Sequence, residues 1–300
     1  MPEQIYETLS AIADAELLEN EPLSRYLGFR TGGPARAVFV PHTRAALLTG
    51  LHELKAAKQR FYILGNGSNV LATDDGYDGV VVLTRYAIDE LSVNESSIHC
   101  GAGATLASAC RIALDNNLSG LEFAYGIPGT IGGAVYMNAG AYDGEMKAVV
   151  SSAEVLLSDG EITVLKADEL CFEYRSSAIQ RMNAVVLSAD IKLNPGCKNE
   201  ISSKMNDFME RRKAKQPLEL PSCGSVFKRP EGAYAGALIE SCGLRGCSIG
   251  GAQVSEKHCG FIVNTGDAKS NDILELIDYI QKTVKEKTGF NLECEIRMLR

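Results

Sequence analysis

Between Gly120 and Tyr142 the chain concentrates glycine among small polar side chains. The centre of this stretch reads Gly126-Ile-Pro-Gly-Thr-Ile-Gly-Gly133, followed by Asn138 and Gly140. Glycine costs about 1 kcal/mol inside a helix or strand, so the run predicts no regular element of its own. It offers bare backbone, which lets N–H groups approach a ligand closely. Thr130, Tyr136, Asn138 and Tyr142 add hydroxyls and an amide. A glycine-rich turn between packed strands is the plainer account. The stronger one is a cradle for a large phosphate-bearing cofactor, whose contacts fall to Pro128, Gly129, Thr130, Gly132, Gly133, Asn138 and Gly140. A second candidate is Gly65-Asn-Gly-Ser-Asn69, with two glycines, two amides and a hydroxyl directly after an apolar run at 61–64. No Lys-Ser/Thr follows, so it is not a Walker A loop, and it lacks the third glycine and the helix of a dinucleotide fingerprint. Alone, Gly65 and Gly67 are explained as well by a β-turn.

The elements around these loops follow from periodicity. Ile5, Leu9, Ile12 and Leu17 predict a helix over 3–20, stopped by Pro22. A short strand at 37–40 precedes a Thr43-capped helix over 45–58. Strands are expected at 61–64, 80–83 and 97–100, then a helix from the cap Thr105 to about Asn117. Residues 153–157 and 162–165 flank Ser158-Asp-Gly-Glu161, a hairpin signal. After a strand at 184–193, Asn194-Pro-Gly196 marks a boundary. Residues 199–215 then read as a basic amphipathic helix with Ile201, Met205, Phe208 and Met209 inside. Its terminal cations are accounted for in part by the helix dipole. Strands near 248–254 and 260–264, a helix over 272–287 and a terminal strand over 292–299 complete the chain.

Composition bounds the function. With 45% apolar and 23% charged residues the 300-residue chain is an ordinary soluble globular sequence, long enough for two or three domains. A net charge of −8 opposes nucleic-acid binding, which depends on neutralising phosphates. There is no signal-peptide pattern and no membrane-spanning apolar run, so a cytoplasmic protein without a membrane partner is expected. Nine cysteines without a C-x-x-C spacing read as reduced thiols, and the four histidines show no ligand spacing, so no metal site is expected.

Four further motifs join the glycine loops: Tyr174-Arg-Ser-Ser177, Gly224-Ser-Val-Phe-Lys-Arg-Pro230, Gly251-Ala-Gln-Val-Ser-Glu-Lys-His258 and Leu292-Glu-Cys-Glu-Ile-Arg297. In this order, over about residues 24–299, they resemble the UDP-N-acetylenolpyruvoylglucosamine reductase family, in its shorter type II form. The resemblance implies an α+β fold: an N-terminal helical segment (1–23), an FAD-binding domain of the PCMH (vanillyl-alcohol-oxidase-like) type over 24–198, with subdomains of about 24–85 and 86–198, and a substrate domain over 199–300. It implies Gly65, Asn66, Gly67, Ser68 and Asn69, together with the central stretch, as contacts for non-covalent FAD, and NADPH as hydride donor. The substrate would be UDP-N-acetylglucosamine enolpyruvate, reduced to the peptidoglycan precursor UDP-N-acetylmuramate by a monomeric enzyme.

The chemistry needs a cation for the enolate that hydride addition creates, and a proton donor for the neighbouring carbon. Arg175 matches the family's enolate-stabilising arginine, Ser225 its proton donor and Glu295 its catalytic carboxylate. A guanidinium offers a bidentate fork to a carboxylate, whereas a serine hydroxyl needs a polarising neighbour to act as an acid. Without the family, Arg175 reads as a surface ion-pair residue and Ser225 as a turn residue. Strand alternation would put Glu293 and Glu295 on one face, so spacing does not choose between them. Lys215, His258, Tyr142 and Arg229 are the substrate-binding candidates. Arg229 stands where other members carry asparagine, and Cys223 where alanine is more usual. The competing readings are another FAD-dependent oxidase of this fold, with oxygen as acceptor, and a binding module without turnover. The first would often use a histidine or cysteine for covalent flavin attachment, and no histidine lies in either glycine loop. The second does not require Arg175, Ser225 and Glu295 together.

Overall fold

Alternating apolar residues in the middle of the chain form an antiparallel sheet of five strands, in the order Ile162–Lys166, Val150–Leu156, Val185–Lys192, Ser97–Gly101 and Leu91–Asn94. Its inward side chains, among them Ile98, Cys100, Val155, Leu187 and Ile191, are fully buried. The expected hairpin closes this sheet at one edge, with Leu157 N–H donating to the Glu161 carbonyl at 2.8 Å and Gly160 at φ 97°. Helices Leu106–Asp115 and Ile131–Met137 pack on it. Thr105 caps the first of these as expected, its hydroxyl accepting Ser108 N–H at 3.0 Å.

The structure, a computed structural model, describes residues 3–300, so the first two residues of the expected N-terminal segment lie outside the described residues. The chain packs as two compact units, each built from separate stretches. The first comprises the chain to Leu18, Val38–Asn66 and Val81–Arg212; the second comprises Glu19–Ala37, Gly67–Val80 and Lys213–Arg300. Ala15–Pro22, Pro34–Pro41 and Tyr77–Leu83 are strands. With Phe61–Leu64 they make a four-stranded sheet, in which Tyr77–Leu83 lies between Pro34–Pro41 and Phe61–Leu64. In the first unit the Thr43-capped helix Arg44–Ala56 buries Leu47, Leu51 and Leu54. Gly50 lets it approach Phe39, whose ring would stand 2.3 Å from an added Cβ.

The second unit is built on the helix Ser270–Thr288, which buries Ile273, Leu276, Ile277, Ile280 and Val284 against the short strands Ser248–Ile249 and Ala252–Val254. Asp74 fixes its start, accepting Ser270 N–H and Asn271 N–H, each at 2.9 Å. Strand Arg297–Leu299 pairs in parallel with Val70–Ala72.

Three elements depart from the periodicity. The N-terminal helix ends at Ser10, the chain turns through Asp14 at φ 56°, and Ala15–Pro22 is extended. A sheet neighbour in Pro34–Pro41 outweighs the weak helical stripe beyond Leu9. The glycine stretch contains a seven-residue helix, Ile131–Met137, capped by Thr130 and closed by Asn138 in the left-handed region at φ 44°. Close approach explains the glycine there: Gly132 N–H donates to the Ala102 carbonyl at 2.8 Å, and a Cβ on Gly132 would stand 2.8 Å from that of Ala102. Finally, the terminal strand is confined to 297–299. Before it, Cys294 makes an isolated bridge with Phe227, and Glu295 N–H donates to the Val226 carbonyl at 2.8 Å.

Candidate active site

In the first unit the two glycine loops meet. Asn66 Nδ2 donates to the Pro128 carbonyl at 2.9 Å, and a Cβ on Gly65 would stand 2.4 Å from Thr130 Oγ1. Ile131 N–H donates to Ala104 O at 2.8 Å, and Leu106 N–H to Gly129 O at 3.0 Å. The 126–133 loop therefore lies along residues 102–106. Gly65 and Gly132 are required by these protein contacts. Gly133 is not: an added Cβ would meet only Thr130 Oγ1, at an ordinary 3.6 Å. Its N–H serves the Thr130 cap, but the space beside its Cα is open, and these residues fit a cofactor that lies close to the chain.

Asn138 is buried and committed within the unit. Its amide donates to Glu145 Oε2 (3.1 Å) and the Glu173 carbonyl (3.0 Å), and its oxygen accepts Lys147 N–H (2.9 Å). It shapes the loop rather than presenting polar atoms. Tyr142 at φ 52° stacks on Phe208, with ring centroids 4.5 Å apart, and donates its hydroxyl to the Phe208 carbonyl at 3.1 Å. Arg175 occupies the tip of a turn closed by mutual hydrogen bonds between Glu173 and Ser176, at φ 55°. Its Nη2 donates to the Gly140 carbonyl at 3.4 Å and its guanidinium lies 5.0 Å from the Tyr174 ring centre.

One residue of this unit escaped the sequence reading. Arg212 Nη1 donates to the Gly126 carbonyl, and its buried Nε has no partner. The signal was present, because Ile201, Met205, Phe208 and Arg212 follow one another at helical spacing on one face. The run of cations around Arg212 hid it.

The second unit holds Gly67, Ser68 and Asn69 of the first loop, and with them Lys215, Ser225, Arg229, His258 and Glu295. Asn69 is tied to the C-terminal motif, donating from Nδ2 to the Glu295 carbonyl at 3.3 Å and accepting Arg297 N–H at 2.9 Å. Ser225 Oγ donates to the Phe227 carbonyl at 3.2 Å, and Ser225 forms a bridge with Phe261. Gly260 lies between Ser225 and His258, its missing Cβ being 3.4 Å from Ser225 Oγ and 2.9 Å from His258 Cε1. His258 Nδ1 accepts Gly260 N–H at 3.1 Å, so the neutral ring carries its proton on Nε2. Burial pulls its pKa below the usual histidine value, with Arg245 and Lys215 acting in the same direction. The structure separates the two glutamates that alternation could not: Glu293 is exposed and pairs with Lys228 at 3.2 Å, while Glu295 is half-buried. Arg229 stacks on Tyr234, 4.0 Å from the ring centre, and Lys215 is exposed. Burial pushes the Cys223 thiol up to about 12, so it stays protonated, donating to the Val70 carbonyl at 3.3 Å. Among the described residues no group of three or more His, Cys, Asp or Glu is placed to hold a metal ion, and no helix is long and apolar enough to cross a membrane. A shallow groove lined by Asn199, Glu200, Ser203, Lys204 and Asp207 includes none of the predicted residues.

Comparison with known proteins bears on this site. An FAD binding domain model matches residues 35–166, and the model of the UDP-N-acetylenolpyruvoylglucosamine reductase C-terminal domain matches 216–299. The reductase of that name from Limosilactobacillus reuteri is 48% identical over 292 residues, 97% of each chain. The chain belongs to the UDP-N-acetylenolpyruvoylglucosamine reductase family. The reductase of Caldanaerobacter subterraneus is 49% identical, over 96% of this chain and 95% of its own. Among solved structures, the Thermus caldophilus reductase superposes with a TM-score of 0.80 at 35% identity, covering 95% of this chain and 99% of its own. This bears out the α+β fold with an FAD-binding domain of the PCMH type and a reductase C-terminal domain. Membership favours the reductase over both competing readings.

Proposed function

We propose that this chain reduces the enolpyruvyl group of UDP-N-acetylglucosamine enolpyruvate to give UDP-N-acetylmuramate, with FAD as resident cofactor and NADPH as electron source. The observation that carries this reading is near-full-length similarity to reductases of that name, 48% identical over 97% of the chain. Residues 24–198 serve the cofactor and 199–300 the substrate, after a leading segment over 1–23, in a monomer of the cytoplasm.

The net reaction adds a hydride to the terminal carbon of the enolpyruvyl double bond and a proton to the neighbouring carbon, while NADPH becomes NADP. FAD, when bound, relays the two electrons. Gly65–Asn69, Pro128–Thr130, Gly132, Gly133 and Gly140 hold it, with Asn138 shaping the loop. Arg175 stabilises the negative charge that develops on the substrate's carboxylate and adjacent carbon, a task suited to a fixed fork donor. Ser225 Oγ delivers the proton, and Glu295 completes the polar set at the reacting group. Lys215 and Arg229 meet the anionic groups of the substrate, His258 offers a neutral Nε2–H donor, and Tyr142 takes the sugar nucleotide.

The test is product analysis. Purified protein with FAD, given NADPH and the enolpyruvyl substrate without oxygen, is expected to yield a product two mass units heavier, with one NADPH consumed per product. NADPH consumption only when oxygen is admitted, with the substrate unchanged, would instead favour an oxidase.

A further inference from the structure

The helix Lys198–Lys215 turns one face into the first unit. Ile201 and Met205 are buried on it, Phe208 stacks on Tyr142, and Arg212 follows at the same spacing. Its neighbour Arg211 behaves as an ordinary surface cation, paired with Asp207 four residues earlier at 2.8 Å. Arg212 does not. Its Nη1 donates to the Gly126 carbonyl, the first residue of the Gly126–Gly133 loop. Its side chain lies flat on that glycine: an added Cβ there would stand 2.8 Å from Arg212 Cδ and 3.0 Å from Nε. The Nε–H is buried without a partner. Burial draws the guanidinium pKa down, and the nearby Tyr142 side chain opposes that effect.

A half-buried cation with a buried, unmet donor is costly, and a helix needing only a dipole-complementing charge would leave it at the surface, as with Arg211. The helix holds two points of the central stretch, Gly126 through Arg212 and, beyond the loop's end, Tyr142 through Phe208. We propose that Arg212 is a positioning residue for the cofactor loop, fixing Gly126 relative to Tyr142 and so setting the pose of Gly126–Gly133 against FAD. The inference rests on the FAD-binding reading above. The role asks for a planar fork with several donors, which a lysine ammonium does not reproduce.

The experiment measures FAD binding rather than turnover. Holoenzyme is stripped of FAD and titrated with it, following the quenching of flavin fluorescence and the shape of the bound flavin's visible band. The proteins are the wild type, Arg212→Ala, Arg212→Lys and the control Arg211→Ala. The loss of a charged hydrogen bond that orders the loop predicts FAD binding about tenfold weaker or more in Arg212→Ala. Arg212→Lys should stay weak with an altered band, Arg211→Ala should match the wild type, and millimolar methylguanidinium should recover part of the affinity of Arg212→Ala. Rescue by a small guanidinium separates positioning from a general loss of structure. If Arg212→Ala does not fold, Arg212→Lys decides by the same criterion. Wild-type affinity and band shape in the folded variant would overturn the proposal while leaving the FAD reading intact. A wild type that binds no FAD would overturn both.

Discussion

The Asn66 side-chain amide donates to the Pro128 carbonyl at 2.9 Å, joining two glycine loops that are 62 residues apart in the chain. Each loop alone is a turn; the bond makes them one surface. Asn66→Ala removes the donor and should weaken FAD binding about fivefold, the effect of about 1 kcal/mol from one lost hydrogen bond. Asn66→Asp should be worse, because it sets a carboxylate against a carbonyl. Fluorescence titration with FAD checks both, and unchanged affinity in the two variants would show that the loops act separately.

Gly133 and Gly65 make opposite predictions. Gly133 lies in the helix Ile131–Met137 with room for a methyl group, so Gly133→Ala should keep or raise stability by up to about 1 kcal/mol. The same methyl occupies the face left to the cofactor, so FAD affinity should fall at least tenfold. Gly65→Ala drives a Cβ onto Thr130 Oγ1 and should lower the melting temperature itself. Paired melting curves and FAD titrations separate the two, and a Gly133→Ala protein with full affinity would remove Gly133 from the cradle.

Arg175 adopts φ 55°, a region costing a non-glycine residue about 1–2 kcal/mol. Arg175→Gly removes that strain together with the guanidinium. Melting temperature should hold or rise, while kcat falls by about 100-fold to 1000-fold, the range for losing one charge-stabilising donor. Such strain at a proposed catalytic residue is kept for the position it gives the side chain. If Arg175→Gly lost stability and kept kcat, Arg175 would be a structural residue only.

Glu122 sets an acid limit on stability. It is 3% exposed and accepts Ser119 Oγ–H at 2.7 Å and Gly120 N–H at 3.0 Å, with Lys204 Nζ at 3.6 Å. Burial by itself would raise its pKa; the Ser119 bond, helped by backbone donors and Lys204, outweighs that, and the net shift is downward. A carboxyl whose folded pKa lies below its unfolded value of about 4.3 stabilises the fold above that pH, and the stabilisation is lost as pH falls through the folded value. Glu122→Gln should cost about 1.5–3 kcal/mol at neutral pH and flatten the decline of stability with acid. Urea melts between pH 7 and pH 3 test this, and parallel profiles for the two proteins would contradict it.

Local chemistry was legible from the residues. Thr43 and Thr105 cap the helices their positions foretold, and the hairpin forms at Ser158-Asp-Gly-Glu161. What escaped depended on partners far away in the chain. Ala15–Pro22 is extended because a sheet neighbour is present, which outweighs a weak helical stripe. Ile131–Met137 is helical because Gly132 can press on Ala102, so the glycines that argue against a helix in isolation allow this one. Alternation places Glu293 and Glu295 on one face and so does not choose between them; they differ in exposure because residues 292–296 form no continuous strand. Arg212 had the correct spacing, but its environment depends on where Gly126 sits.

The central claim is tested most directly by anaerobic stopped-flow spectroscopy of the oxidised-flavin absorbance band. NADPH should bleach the band, and it should return only when UDP-N-acetylglucosamine enolpyruvate is added. The return should be markedly slower in Ser225→Ala, whose bleaching by NADPH is unchanged. A band that returns with oxygen but not with the enolpyruvyl substrate would contradict the account.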